Sequence, residues 1–133
     1  MKMKKILVLS FMLFFCGSAV FAAAARVADT ITSSIAVKDV KTLHDAIIKG
    51  CEERGWVTVK TGENEITATL NSRSHQVVVK IPYDNSGYQI IYKGSKNMKY
   101  NARRNLIHPS YIRWTENLDK SIKANIDFKK DTE

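Results

Sequence analysis

Between residues 56 and 93, apolar and polar side chains alternate in four short blocks, parted by only a few turn-forming residues. A period of two is the signature of a strand that buries one face. The block 56–60 reads as the first strand. The block 65–71 sets Ile66, Ala68 and Leu70 against Thr67 and Thr69, and 75–83 sets Val77, Val79 and Ile81 against Gln76, Val78 and Lys80. The block 88–93 sets Tyr88, Ile90 and Tyr92 against Gln89, Ile91 and Lys93. Thr61-Gly62-Glu63-Asn64, Ser72-Arg73-Ser74 and Asp84-Asn85-Ser86-Gly87 supply the turns. Loops this short join antiparallel neighbours, so the pattern predicts a four-stranded antiparallel meander with one apolar face.

That face needs cover, and the flanking segments provide it. Over 39–54, Val40, Leu43, Ile47 and Cys51 recur at spacings of three and four, as on the buried stripe of a helix. Gly55 offers the left-handed position that ends such a helix. After residues 94–107, which are basic, aperiodic and read as loop, His108-Pro109 opens a second helix. Its stripe is Tyr111, Trp114, Leu118, Ile122 and Ile126, with Glu116–Lys120 and Asp119–Lys123 as favourable pairs on the wet side. The expected fold is α+β, helix-strand-strand-strand-strand-helix, with both helices on one face of the sheet. The domain spans 39–127, preceded by a linker over 25–38 that carries a short edge strand near 31–37. It is followed by a charged, fraying tail over 128–133.

The first 24 residues read as a signal peptide. Lys2, Lys4 and Lys5 precede an apolar run over 6–15, and small residues follow, placing cleavage near Ala22–Ala25. Phe15 stands where a lipid-attachment signal wants a small residue before Cys16, so a lipid anchor at Cys16 is not expected. The expected location is periplasmic or secreted. Without the three leader lysines, 18 of the 21 basic side chains remain against 13 acidic ones, a net charge of +5. One thiol remains, Cys51. It sits on a helix's apolar face and reads as buried and inert.

Several short motifs recur together in this frame: Gly55-Trp56, Ile81-Pro82-Tyr83, Ser95-Lys96-Asn97 with Tyr100, and Ile107-His108 leading to Tyr111, Trp114 and Leu118. Over residues 43–122 they resemble a family of small uncharacterised exported bacterial proteins, many of which look like lipoproteins. The resemblance implies an envelope location and one compact α+β domain. It brings no catalytic residues, cofactor or ligand.

No nucleotide loop, nucleophile elbow or zincin motif occurs, and His44, His75 and His108 are too far apart in sequence for a local metal motif. Neither an enzyme nor a small-molecule cofactor is expected. The sharpest charge feature lies between Asn85 and Thr115, where no acidic residue occurs. Lys93, Lys96, Lys99, Arg103, Arg104 and Arg113 fall there, with Tyr100 among them. A solvated basic loop would look like this, and so would a surface for an anionic partner. In an exported protein that partner would be an envelope protein, a lipid phosphate or an anionic glycan. Two alternatives are a small hydrolase using His108 with a distant carboxylate, and a nucleic-acid-binding module stacking bases on Tyr92 and Tyr100. The export signal argues against the second. Trp56, Tyr111 and Trp114 are expected in the core, while Tyr83, Tyr88, Tyr92 and Tyr100 are candidates for a groove.

Overall fold

The computed structural model describes residues 24–132. Nearly all of the predicted leader, Cys16 and half of the predicted cleavage window lie outside them. Among the described residues no helix is long and apolar enough to cross a membrane.

The first helix, α1 (Val40–Glu53), begins where the Asp39 carboxylate accepts the Lys41 N–H at 2.9 Å. This satisfies one of the donors that every helix start leaves open. The helix ends as the sequence predicts. Gly55 takes φ +78°, its N–H donates to the Glu52 carbonyl, and the Trp56 N–H donates to the Cys51 carbonyl at 2.9 Å. Those two bonds close a left-handed helix stop and aim Trp56 back at the core. Leu43, Ala46, Ile47, Gly50 and Cys51 form the buried face.

Four antiparallel strands follow: β3 (Val57–Gly62), β4 (Glu65–Ser72), β5 (His75–Asp84) and β6 (Gly87–Lys96). Ahead of α1, β1 (Arg26–Val27) and β2 (Ile31–Ser34) occupy the segment read as linker. The sheet has five strands rather than four, in the order β2-β6-β5-β4-β3, because β2 pairs antiparallel with β6. Gly87 permits the pairing. It holds φ +136°, and a Cβ there would lie 2.0 Å from the Ser33 carbonyl oxygen.

The stretch 94–107 is also more ordered than its composition suggests. β6 runs on to Lys96, and Leu106–Ile107 form β7, which pairs with β1 in a separate two-stranded ribbon. The second helix, α2 (Ser110–Thr132), stays helical past Asp127, where the sequence has it fray. His108 caps it. The Tyr111 N–H donates to the His108 carbonyl, the Ser110 N–H donates to His108 Nδ1 at 3.1 Å, and Pro109 stands immediately before the first helical residue.

The register sets one sheet face against the helices. Ile66 faces Ile81, Ala68 faces Val79, Leu70 faces Val77, and Tyr83 faces Tyr88, all buried. Tyr111, Leu118, Ile122 and Ile126 of α2 complete the core, while Trp114 is only half-buried. Gly50 sets the crossing of α1 and α2, since a Cβ there would lie 2.8 Å from the Ile122 backbone nitrogen. Asp119 fastens α2 to the sheet. Its carboxylate accepts from Ser33 Oγ at 2.8 Å, from the Tyr88 hydroxyl, and from Lys123 Nζ at 2.8 Å. The predicted Glu116–Lys120 pair does not form. The opposite sheet face is left uncovered by the described residues and exposes Val57 and Val59, opposite Thr69 and Thr67.

Candidate anion-binding surface

Met98 and Ile107 are buried, and between them the chain makes a closed excursion. The His108 N–H donates to the Met98 carbonyl at 2.9 Å and closes its base. Asn101 and Leu106 exchange backbone hydrogen bonds, at 2.8 and 3.1 Å. The Asn101 carboxamide accepts the Arg104 N–H at 3.2 Å, and residues 102–105 form the tip. The loop thus has an apolar foot and a tip that presents Arg103 and Arg104 to solvent. Lys99 is exposed on the same loop, with φ +51°. Asn97 and Asn105 share that left-handed geometry, which asparagine tolerates better than most residues.

The remaining predicted cations occupy other elements. Lys93 lies on the uncovered face of the sheet, where its Nζ reaches Thr67 Oγ1 at 3.5 Å. Lys96 pairs with Gln76 at the end of β6, and Arg113 is exposed on the first turn of α2. None of Lys93, Lys96, Lys99, Arg103, Arg104 and Arg113 forms an ion pair with a described residue. The ion pairs among the described residues are Lys41–Asp45 and Lys123–Asp119, both at 2.8 Å. The structure therefore distributes these charges over a loop, a sheet face and a helix start. It adds two that the sequence reading left out. Lys80 shares the uncovered face with Lys93. Arg73, with φ +55°, sits in the β4–β5 turn beside Asn97, whose Nδ2 donates to Ser74 Oγ at 2.9 Å. Alternation places Lys80 on the polar face, but only the register places it near Lys93.

The four candidate tyrosines do not share one groove: Tyr83 and Tyr88 border a hollow beside β2, away from Tyr92 and Tyr100. Tyr100 stacks on Tyr92 with centroids 4.2 Å apart, and Tyr92 meets the edge of buried Tyr111 at 5.8 Å. The Tyr100 hydroxyl donates to Asn105 Oδ1 at 3.2 Å, so Tyr100 braces the loop from inside. Tyr83 is buried, with its hydroxyl 2.7 Å from His44 Nδ1. Tyr88 is buried as well. Its burial and its bond to Asp119 push the phenol well above its usual range.

Two histidines far apart in sequence do meet. The His75 and His108 rings lie 5.8 Å apart, and the Trp114 ring lies 6.4 Å from that of His75. His75 Nδ1 donates to the Asn97 carbonyl at 2.6 Å, while His108 Nδ1 accepts from the backbone. In the neutral state the free Nε2 of His75 is therefore an acceptor and that of His108 a donor. A donor Nε2 has no lone pair for a metal. Among the described residues no three His, Cys, Asp or Glu side chains gather into a metal set. Among the described residues the His108 ring meets His75 and the Ser110 N–H, and no carboxylate. The Cys51 thiol is fully buried, and desolvation, with a smaller contribution from Glu52, pushes it up to about 12. Such a thiol carries almost no thiolate at neutral pH.

The chain matches no family model, no curated protein and no solved structure.

Proposed function

We propose that this is an exported, non-enzymatic domain that binds an anionic component of the cell envelope through its unpaired cations. The N-terminal leader and the resemblance to exported proteins support the location. One observation carries the binding: six exposed cations on neighbouring elements stand without ion-pair partners, and three of them ride on a loop anchored by buried Met98 and Ile107. A braced loop loses less conformational entropy on binding than a free one. Tyr92 and Tyr100 already stack on each other, which leaves little ring surface for nucleic-acid bases.

A basic residue near an anionic membrane contributes about 1 kcal/mol, screened over roughly 10 Å at 0.1 M salt. Replacing Lys96, Lys99, Arg103 and Arg104 together by Gln should weaken co-sedimentation with phosphatidylglycerol vesicles by at least about tenfold at low salt. The circular dichroism spectrum should stay that of the wild type, since none of the four side chains is buried. Equal, salt-independent sedimentation of the two proteins would refute the reading.

A further inference from the structure

Both tryptophans of the chain line one small cavity, of ≈ 200 Å³, together with Arg54, Leu70 and Asn117. It lies where the C-terminus of α1, the end of β4 and the first turns of α2 converge. Trp56 and Leu70 are nearly fully buried and form its apolar depth. Trp114 is half-buried and forms a wall.

The polar groups at the cavity are poised rather than spent. Arg54 Nε donates to Ser121 Oγ at 2.6 Å, which fixes the plane of the guanidinium and leaves its terminal nitrogens available. No carboxylate of a described residue pairs with that guanidinium. The Asn117 side chain has no hydrogen-bond partner among the described residues. Trp114, Asn117 and Ser121 follow one another at helical spacings of three and four, so α2 presents them on one side.

We propose that this cavity binds a single-ring carboxylate. The ring lies against Trp56, Leu70 and Trp114, the carboxylate accepts from Arg54, and Asn117 serves a second polar group. Flat ligands lie well against indole, whose face is electron-rich. A guanidinium held in one plane is the group best matched to a carboxylate, which accepts two parallel N–H bonds. An apolar depth with a few convergent polar groups is the usual make-up of a small-molecule site. The site is independent of the vesicle-binding surface, since the two share no residue.

Two sources of such a ligand are distinguished by two probes, benzoate for an aromatic acid and glucuronate for an acidic sugar. Because both tryptophans line the cavity, their two indole N–H resonances report on it, and holding the pH fixed keeps the His75 ring beside Trp114 from moving the second. Benzoate or glucuronate, titrated into the millimolar range, should move both resonances along saturating curves. Benzamide, which keeps the ring and loses the charge, should bind about tenfold more weakly than benzoate. Arg54→Gln should weaken the carboxylates by a similar factor and leave benzamide unchanged. Ser121→Ala removes the same contact and keeps the guanidinium, so it should weaken the carboxylates less than Arg54→Gln does; an equal loss would show that the contact and not the charge matters, and would overturn the proposal. If neither acid moves the indole resonances, or if benzamide matches benzoate in the wild type, the proposal fails.

Discussion

Replacing Gly50 by Ala sets two opposing effects against each other, and the structure decides between them. In a solvent-facing helix the change stabilises by about 1 kcal/mol, because glycine is the poorer helix former. At Gly50 the new Cβ would lie 2.8 Å from Ile122 Cγ1, 2.8 Å from its backbone nitrogen and 3.0 Å from its Cα. Comfortable separation between such atoms is about 3.5–4.0 Å, so α1 and α2 would have to part locally by roughly 0.7–1 Å. Overpacking of this kind costs about 1–3 kcal/mol, and the upper half applies because two of the three atoms are backbone and cannot rotate away. The net expectation is a loss of about 1–2 kcal/mol, a drop in melting temperature of roughly 5–15 °C for a domain of this size. Thermal melting followed by circular dichroism measures it. In an Ile122→Ala background the Gly50→Ala change should cost less, because one of the three contacts is gone. A variant melting at or above the wild-type temperature would show that the helices do not cross this closely.

Two further outcomes follow from the sheet's attachments. Burial alone would raise the Asp119 carboxyl, but hydrogen bonds from Lys123, Tyr88 and Ser33 outweigh it and hold the group below its ordinary value. Its stabilising contribution is therefore complete above an unfolded value of about 3.9 and lost as pH falls through the lower folded one. The urea midpoint of Asp119→Asn should lie below wild type at pH 7, with the gap closing toward pH 3. Gly87→Ala should cost about 3 kcal/mol or more, since it combines a strained φ with a 2.0 Å approach to the Ser33 carbonyl. Hydrogen exchange of the β2 amides should accelerate before that of β5.

Periodicity made α1, α2, β4 and β5 legible, because each buries one face against a continuous core, whereas β3 buries none of its own residues and is marked only by buried Trp56 before it and the turn after it. Periodicity also marked β6 but missed its last three residues, for a local reason. The pairing shifts between Val78, opposite Gly94, and Val79, opposite Tyr92, so Lys93 is an extra residue in the ladder. The bulge puts Tyr92 and Ser95 on the same side, where Tyr92 Oη and Ser95 Oγ lie 2.7 Å apart. Alternation breaks there, and the strand reads as ending three residues early. β2 shows little pattern because only Ser33 of its four residues is buried. What holds β2 is Gly87 and Asp119, each supplied by a distant part of the chain.

The cations were legible as a run without acids, but a run is one-dimensional, and their placement depends on the β6 bulge, the Asn101–Leu106 bridge and the His108 cap. Those features separate Lys93 from Arg103 and bring Arg73 and Lys80 toward the group. The cavity at Trp56 was less visible still. Each of its residues has an adequate structural reading alone: a helix-stop tryptophan, a charged cap residue, a strand leucine and two residues of a helix stripe. Trp114 shows the difference. Its spacing marks it as core, yet it is half-buried, because the α2 face it shares with Asn117 overhangs the end of β4 rather than its middle. A large aromatic ring left partly open beside an unpaired guanidinium is a poor way to finish a core. It is a good way to hold a flat anion.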